Sequence, residues 1–113
     1  MDKNYIITQV RQALRHLNVN KAILFGSYST GNQNERSDID LYVVTNDDFI
    51  PQSFAQKMEI KLKIAQALEA LRTDSDIDLI VHTKPMFEEF IRQNSSFKKQ
   101  ILNTGTTIYE TNN

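Results

Sequence analysis

The segments DIDLYVV at 38–44 and DIDLIVH at 76–82 begin with the same alternation of acid and apolar residue, each behind a serine. Strand side chains alternate between faces. Asp38 and Asp40 therefore share one face of the first strand, and Ile39, Leu41 and Val43 share the other. Asp76 and Asp78 share a face of the second. Between the two, residues 53–71 set Phe54, Met58, Leu62, Ala65, Leu68 and Leu71 along one side of a helix, with Gln56, Lys63, Gln66 and Glu69 on the other. Strand, helix, strand in this order fits a right-handed crossover between parallel strands. Both acidic starts then lie at one end of one sheet. The repeat of SDIDL goes no further, because the residues after each copy differ, so a solenoid of repeated units is rejected.

The rest of the chain supplies the layers around that unit. Ile6, Ile7, Val10, Leu14 and Leu17 recur at helical spacing and predict a helix over 3–17. KAILF at 21–25 reads as a buried strand. Pro85 suits the first turn of a helix running to about Gln93. A further helix is expected over 96–103, ended near Gly105, followed by a last strand, TTIYE. The order is α-β-β-α-β-α-α-β. It predicts an α/β fold of the α+β type: a small mixed sheet flanked by helices. With 113 residues, a single domain over 1–113 is expected.

Composition excludes several kinds of chemistry. The chain has no cysteine, which removes disulfides, thiolate metal sites and cysteine nucleophiles. Net charge is −1, so no overall basic field argues for direct nucleic-acid binding. No apolar run approaches the ~20 residues of a membrane span, and the N-terminus lacks a signal-peptide core. A cytoplasmic location is the expectation. His16 and His82 lack a metal-ligating partner at suitable spacing and read as structural or surface residues. Tyr42 shares the face of Asp38 and Asp40, with packing as its expected role. Lys57, Lys61 and Lys63 read as the solvated side of the long helix.

The acids themselves call for an explanation. Asp is disfavoured in strands, and two on one face repel each other. A hard divalent cation with oxygen ligands offsets that repulsion. Three carboxylates at one sheet end would suit two such ions. Upstream, FGSYSTG at 25–31 places Gly-Ser at a strand's end. Gly26 can adopt a backbone conformation closed to other residues and admit a ligand closely. Ser27 is expected to cap a short helix. An antiparallel pairing of the flanking strands would bring this turn to the acids, a combination suited to phosphoryl chemistry.

Together, GSYSTGNQNERSDIDL at 26–41 and the later DIDL resemble the signature of the DNA polymerase β-like nucleotidyltransferase superfamily. The spacing and small size resemble the minimal nucleotidyltransferases, including MntA-type antitoxins, and ILNTGTTIYE at 101–110 resembles their C-terminal ending. The resemblance implies the polymerase β-like nucleotidyltransferase fold over one domain. It implies that Gly26 and Ser27 hold the nucleotide triphosphate. Asp38 and Asp40 would bind two divalent ions, Mg²⁺ or Mn²⁺. Asp78, inside its strand, would be the third catalytic and metal-binding carboxylate, leaving Asp76 to start the strand. ATP would be the substrate, with AMP passed to an acceptor hydroxyl on a HEPN-family toxin that is modified and silenced in a hetero-oligomer. The alternative is a catalytically weak or inactive antitoxin that neutralises its partner by contact. One departure stands out: Ser29-Thr30 occupies the place where the superfamily often has Ala-Arg. Arg36 and Lys21 are the nearby candidates for the missing positive charge.

Overall fold

The computed structural model of the chain describes residues 2–33, 38–72 and 75–111. Helix α1 (Lys3–Leu14) starts at Asp2, whose carboxylate accepts the Asn4 N–H at 3.4 Å. Its buried stripe is Ile6, Val10 and Leu14, one residue per turn. Strand β1 (Val19–Phe25) leads into a single-turn helix, α2 (Ser27–Thr30), and then to β2 (Ile39–Thr45). Helix α3 (Phe54–Ala67) is capped by Ser53, whose hydroxyl accepts the Gln56 N–H at 3.1 Å. A second short helix, α4 (Glu69–Arg72), follows it. Strand β3 (Ile77–His82), helix α5 (Lys84–Arg92), helix α6 (Ser96–Thr104) and strand β4 (Thr106–Glu110) complete the order. Pro85 lies in the first turn of α5, as expected, where its missing N–H costs nothing.

The sheet order is β3-β2-β1-β4. The pairs β1–β2 and β1–β4 are antiparallel and β2–β3 is parallel, so the sheet is mixed. Alternation along the strands divides the apolar residues into two cores. Ala22 and Leu24 of β1, Ile39, Leu41 and Val43 of β2, and Ile77, Leu79 and Val81 of β3 meet Ile6, Val10, Leu14, Ile64, Leu68 and Leu71 from α1, α3 and α4. On the opposite face Ile23, Phe25, Tyr42 and Val44 meet Phe90 of α5 and Ile101 of α6. Asp40 lies between Ile39 and Leu41, so it points to this second, α5–α6 side. No described helix is long and apolar enough to cross a membrane.

Two sequence expectations change here. The helix expected over 53–71 breaks at Leu68, whose N–H is shared between the Ile64 and Ala65 carbonyls at 3.2 Å each, a tightened last turn. The expected apolar face also shifts. Phe54 is 77 % and Leu62 50 % exposed, and Ile64, which is not in the expected series, is buried, while Leu68 and Leu71 are buried as expected. Leu62 is two residues from Ile64 and so lies on nearly the opposite side at 3.6 residues per turn. Phe54, Met58 and Leu62, spaced by four, drift off the face that meets the sheet, while Leu68 and Leu71 stay on it.

Candidate functional site

The register delivers three of the predicted residues to one place. Phe25, the last residue of β1, pairs with Asp40 near the start of β2. Gly26 therefore follows directly beside Asp40. Asp40 in turn pairs with Asp78 across the parallel β2–β3 ladder. Asp38 immediately precedes β2 at the same sheet end. Asp76 has the entry role given to it from sequence: its backbone carbonyl accepts the Ile39 N–H at 2.9 Å and opens the β2–β3 ladder.

Gly26 takes φ 72° and ψ −148°, a region that residues with a side chain rarely adopt. A Cβ at this position would run into the Asp40 carboxylate, whose Cγ lies 3.1 Å from where it would be. Glycine is required twice over, by the turn and by the approach. Gly26 is also the residue that caps α2, with Ser27 as its first helical residue. That corrects the expectation that Ser27 is the cap. The Gly26 carbonyl accepts the N–H groups of Ser29 at 3.1 Å and Thr30 at 3.2 Å, closing the turn behind it.

Electrostatics single out Asp40. Its carboxyl is pushed up to about 6, first by desolvation, then by a hydrogen bond and charge from Asp78, and by the charge of Asp38. Asp38 and Asp78 are placed where they oppose the ionisation of Asp40. Asp38 and Asp78 are exposed, so the cluster forms a ledge open to solvent. Concavities of about 350 and 420 Å³ lie elsewhere, one under Thr45 and Asp47 at the far sheet end, the other beside His82 and Phe90. Among the described residues, no three Asp, Glu or His side chains form a ready-made metal-ligand group.

The other sequence candidates fall into place around the ledge. Tyr42 is fully buried in the second core, stacked on Phe90 with ring centroids 5.3 Å apart, and shares a hydrogen bond with His82 Nδ1 at 2.6 Å. Both are packing residues. Lys21 pairs with Glu110 at 3.4 Å and lies 4.8 Å from the Phe87 ring centroid, facing Val44 rather than the acids. It does not supply the missing positive charge. Arg36, the other candidate, and Ser37 lie outside the described residues. Lys57 and Lys61 help line a surface concavity along β3 with Leu79 and His82, so they are less purely solvated than expected.

Sequence reasoning missed what Ser29 touches. Its hydroxyl donates to the Thr104 carbonyl and meets the Thr106 hydroxyl at 2.9 Å. Those partners are 75 and 77 residues away, and nothing local in the sequence announces them.

Comparison with known proteins places this fold in a family. The family model described as "Polymerase beta, Nucleotidyltransferase" matches residues 8–113. A Methanocaldococcus jannaschii chain assigned as a protein adenylyltransferase is 32 % identical over 91 residues, 80 % of this chain and 79 % of that one. The protein adenylyltransferase MntA of Shewanella oneidensis is 36 % identical over 80 residues, 71 % of this chain but only half of MntA. Among solved structures, a toxin–antitoxin complex with AMP-PNP aligns at TM-score 0.53 and 28 % identity, covering 99 % of this chain and 76 % of its counterpart. A mutant MntA–HpeT toxin–antitoxin structure aligns at TM-score 0.50 and 26 % identity, covering 99 % of this chain and 75 % of that one.

Proposed function

The chain belongs to the polymerase β nucleotidyltransferase family, and on that premise we propose that it transfers AMP from ATP to a hydroxyl on a partner protein, the toxin of a toxin–antitoxin pair. The observation that carries this reading is the row Gly26–Asp40–Asp78. A glycine turn with no room for a side chain abuts one carboxylate, and that carboxylate is the register partner of a second.

In this reading Gly26 and Ser27 hold the triphosphate. The absent side chain at Gly26 lets the phosphates come down to the level of Asp40. The donor set fits a hard divalent cation, because Asp38, Asp40 and Asp78 are all carboxylates and the mutual repulsion that raises Asp40 is what a cation offsets. These three would hold Mg²⁺ or Mn²⁺, which supplies charge neutralisation and alignment of the phosphates. The acceptor oxygen forms a bond to the α-phosphorus. The α–β anhydride bond breaks, and pyrophosphate leaves with its electron pair. Asp78, exposed at the rim, is the group positioned to take the acceptor's proton. The open ledge suits an acceptor as large as a protein surface.

The toxin partner is supported by the relatives. MntA is named as a protein adenylyltransferase, and solved relatives are toxin–antitoxin complexes, one with an ATP analogue. One of those structures is a double aspartate-to-glutamate variant at positions two apart, the spacing of Asp38 and Asp40 here. A HEPN-family toxin is the partner this reading names. The test is incubation of the protein, Mg²⁺ and labelled ATP with the product of the neighbouring gene. Label is expected on that product with the wild type and not with Asp40→Ala. No label with either protein would remove the reading.

A further inference from the structure

We infer that Ser29 is a positioning residue for the nucleotide: through Thr104 and Thr106 it fixes the height of the Gly26–Ser27 turn over Asp40. The inference rests on the reading that this turn holds the triphosphate.

Helix α2 has four residues, too few to hold its own shape in water. Its position must come from outside. Tyr28, 1 % exposed in the main core, anchors one side. Thr30 bonds backward to the Gly26 carbonyl at 3.3 Å. Ser29 reaches the other side, toward the C-terminal part of the chain. A serine hydroxyl has one proton and two acceptor positions. Its proton goes to the Thr104 carbonyl. The Thr106 hydroxyl is therefore the donor in the second bond, at 2.9 Å.

The segment that receives these bonds is itself closely packed. The Gly105 N–H donates to the Ile101 carbonyl at 3.1 Å. A Cβ on Gly105 would meet that carbonyl oxygen and approach Ile23 Cγ2 to 2.6 Å. Thr106 pairs with Leu24 of β1. The turn is thus bracketed: Gly26 continues from β1, and Ser29 is tied to a junction packed on β1. A turn that carries phosphate groups must hold its place to a fraction of an ångström, because small misplacements cost large factors in rate or binding. The Ser29-Thr30 pair that departs from the superfamily pattern is in this chain the device that holds the turn.

The test compares wild type, Ser29→Ala, Ser29→Thr and Thr106→Val below the melting temperature of every variant. Ser29→Ala is expected to raise KM for ATP, and the Kd for AMP-PNP, about tenfold, the worth of one or two hydrogen bonds. Its kcat and its KM for the acceptor protein stay within about twofold, the pattern of lost uniform binding. Thr106→Val shifts KM the same way, and the double variant adds little to either single one, as expected for partners in one contact. Ser29→Thr, which keeps the hydroxyl, restores KM. A lowered melting temperature with unchanged KM in Ser29→Ala makes Ser29 a structural tie and overturns the inference. A wild type that binds no AMP-PNP removes the triphosphate reading itself, and the inference with it.

Discussion

Gly26 and Asp40 stand in contact across the end of the β1–β2 pair, with no space between them for even one methyl group. Gly26→Ala must relieve both the collision and a φ of 72°. The backbone part alone costs about 1–3 kcal/mol. The melting temperature is expected to fall by several degrees while the fold survives. Transfer is expected to fall at least ~100-fold, because the turn or Asp40 must move. Activity and melting measured on the same preparation check this.

Asp40 and His82 predict opposing pH dependences in one window. The Asp40 carboxyl is pushed up to about 6 in the folded protein, above its ordinary value of 3.8. The folded state holds this proton more tightly, so its contribution is full below about 4 and is lost as pH rises toward 6. Burial lowers His82 to about 4 from 6.5. Here the unfolded state holds the proton more tightly, so stability is lost as pH falls from about 6.5 toward 4. The two slopes offset each other in the metal-free wild type. Asp40→Asn is expected to reveal the His82 slope, with stability rising with pH. His82→Gln is expected to reveal the Asp40 slope, with stability falling. Denaturant melts at pH 4, 5, 6 and 7 decide it. A pair of variants with parallel profiles would sink the assignment.

Asp78→Asn removes the charge that, after burial, acts most strongly on Asp40. The Asp40 titration, followed by carboxyl NMR, is expected to move down toward the ordinary carboxylate range. Transfer is expected to be lost while folding is retained. An Asp40 titration that stays near 6 would show that burial alone sets it.

Divalent ions are expected to stabilise the protein at pH 7, where the acids are ionised and repel, and to do so less at pH 5. Mg²⁺ added during thermal melts of wild type and of Asp40→Asn tests this. Equal stabilisation of both would place the ion away from Asp40.

The long helix gives a packing test. Ile64→Ala, in the observed buried stripe, is expected to cost about 2–4 kcal/mol. Leu62→Ala, half exposed, is expected to stay within ~0.5 kcal/mol. Chemical denaturation of the two variants separates the observed stripe from the one read from the spacing of apolar residues.

The strands were legible because their chemistry is local. DIDLYVV and DIDLIVH state their own alternation, and the helix-length spacer between them dictates a parallel pair. From that pair the meeting of Asp40 with Asp78 follows. Gly26 was legible because Gly-Ser after an apolar strand admits few readings. The face of α3 was not, because Phe54, Leu62 and Ile64 are all apolar and only the sheet decides which of them it covers. The capping role of Gly26 over Ser27 depends on a backbone angle that composition does not encode. Ser29's partners were beyond reach for a different reason. A hydroxyl 75 residues from its acceptor becomes a contact only after β4 has taken its place beside β1.

The sheet order β3-β2-β1-β4 also sets a timetable. Gly26 and Asp40 come from the first half of the chain, but Asp78 arrives only with β3. The Ser29 tie waits longer still, for residues 104–106. A nascent chain therefore holds the Gly26 turn beside Asp40 before either Asp78 or the tie can join them. A product stopped before β3 is expected to be silent rather than partly active.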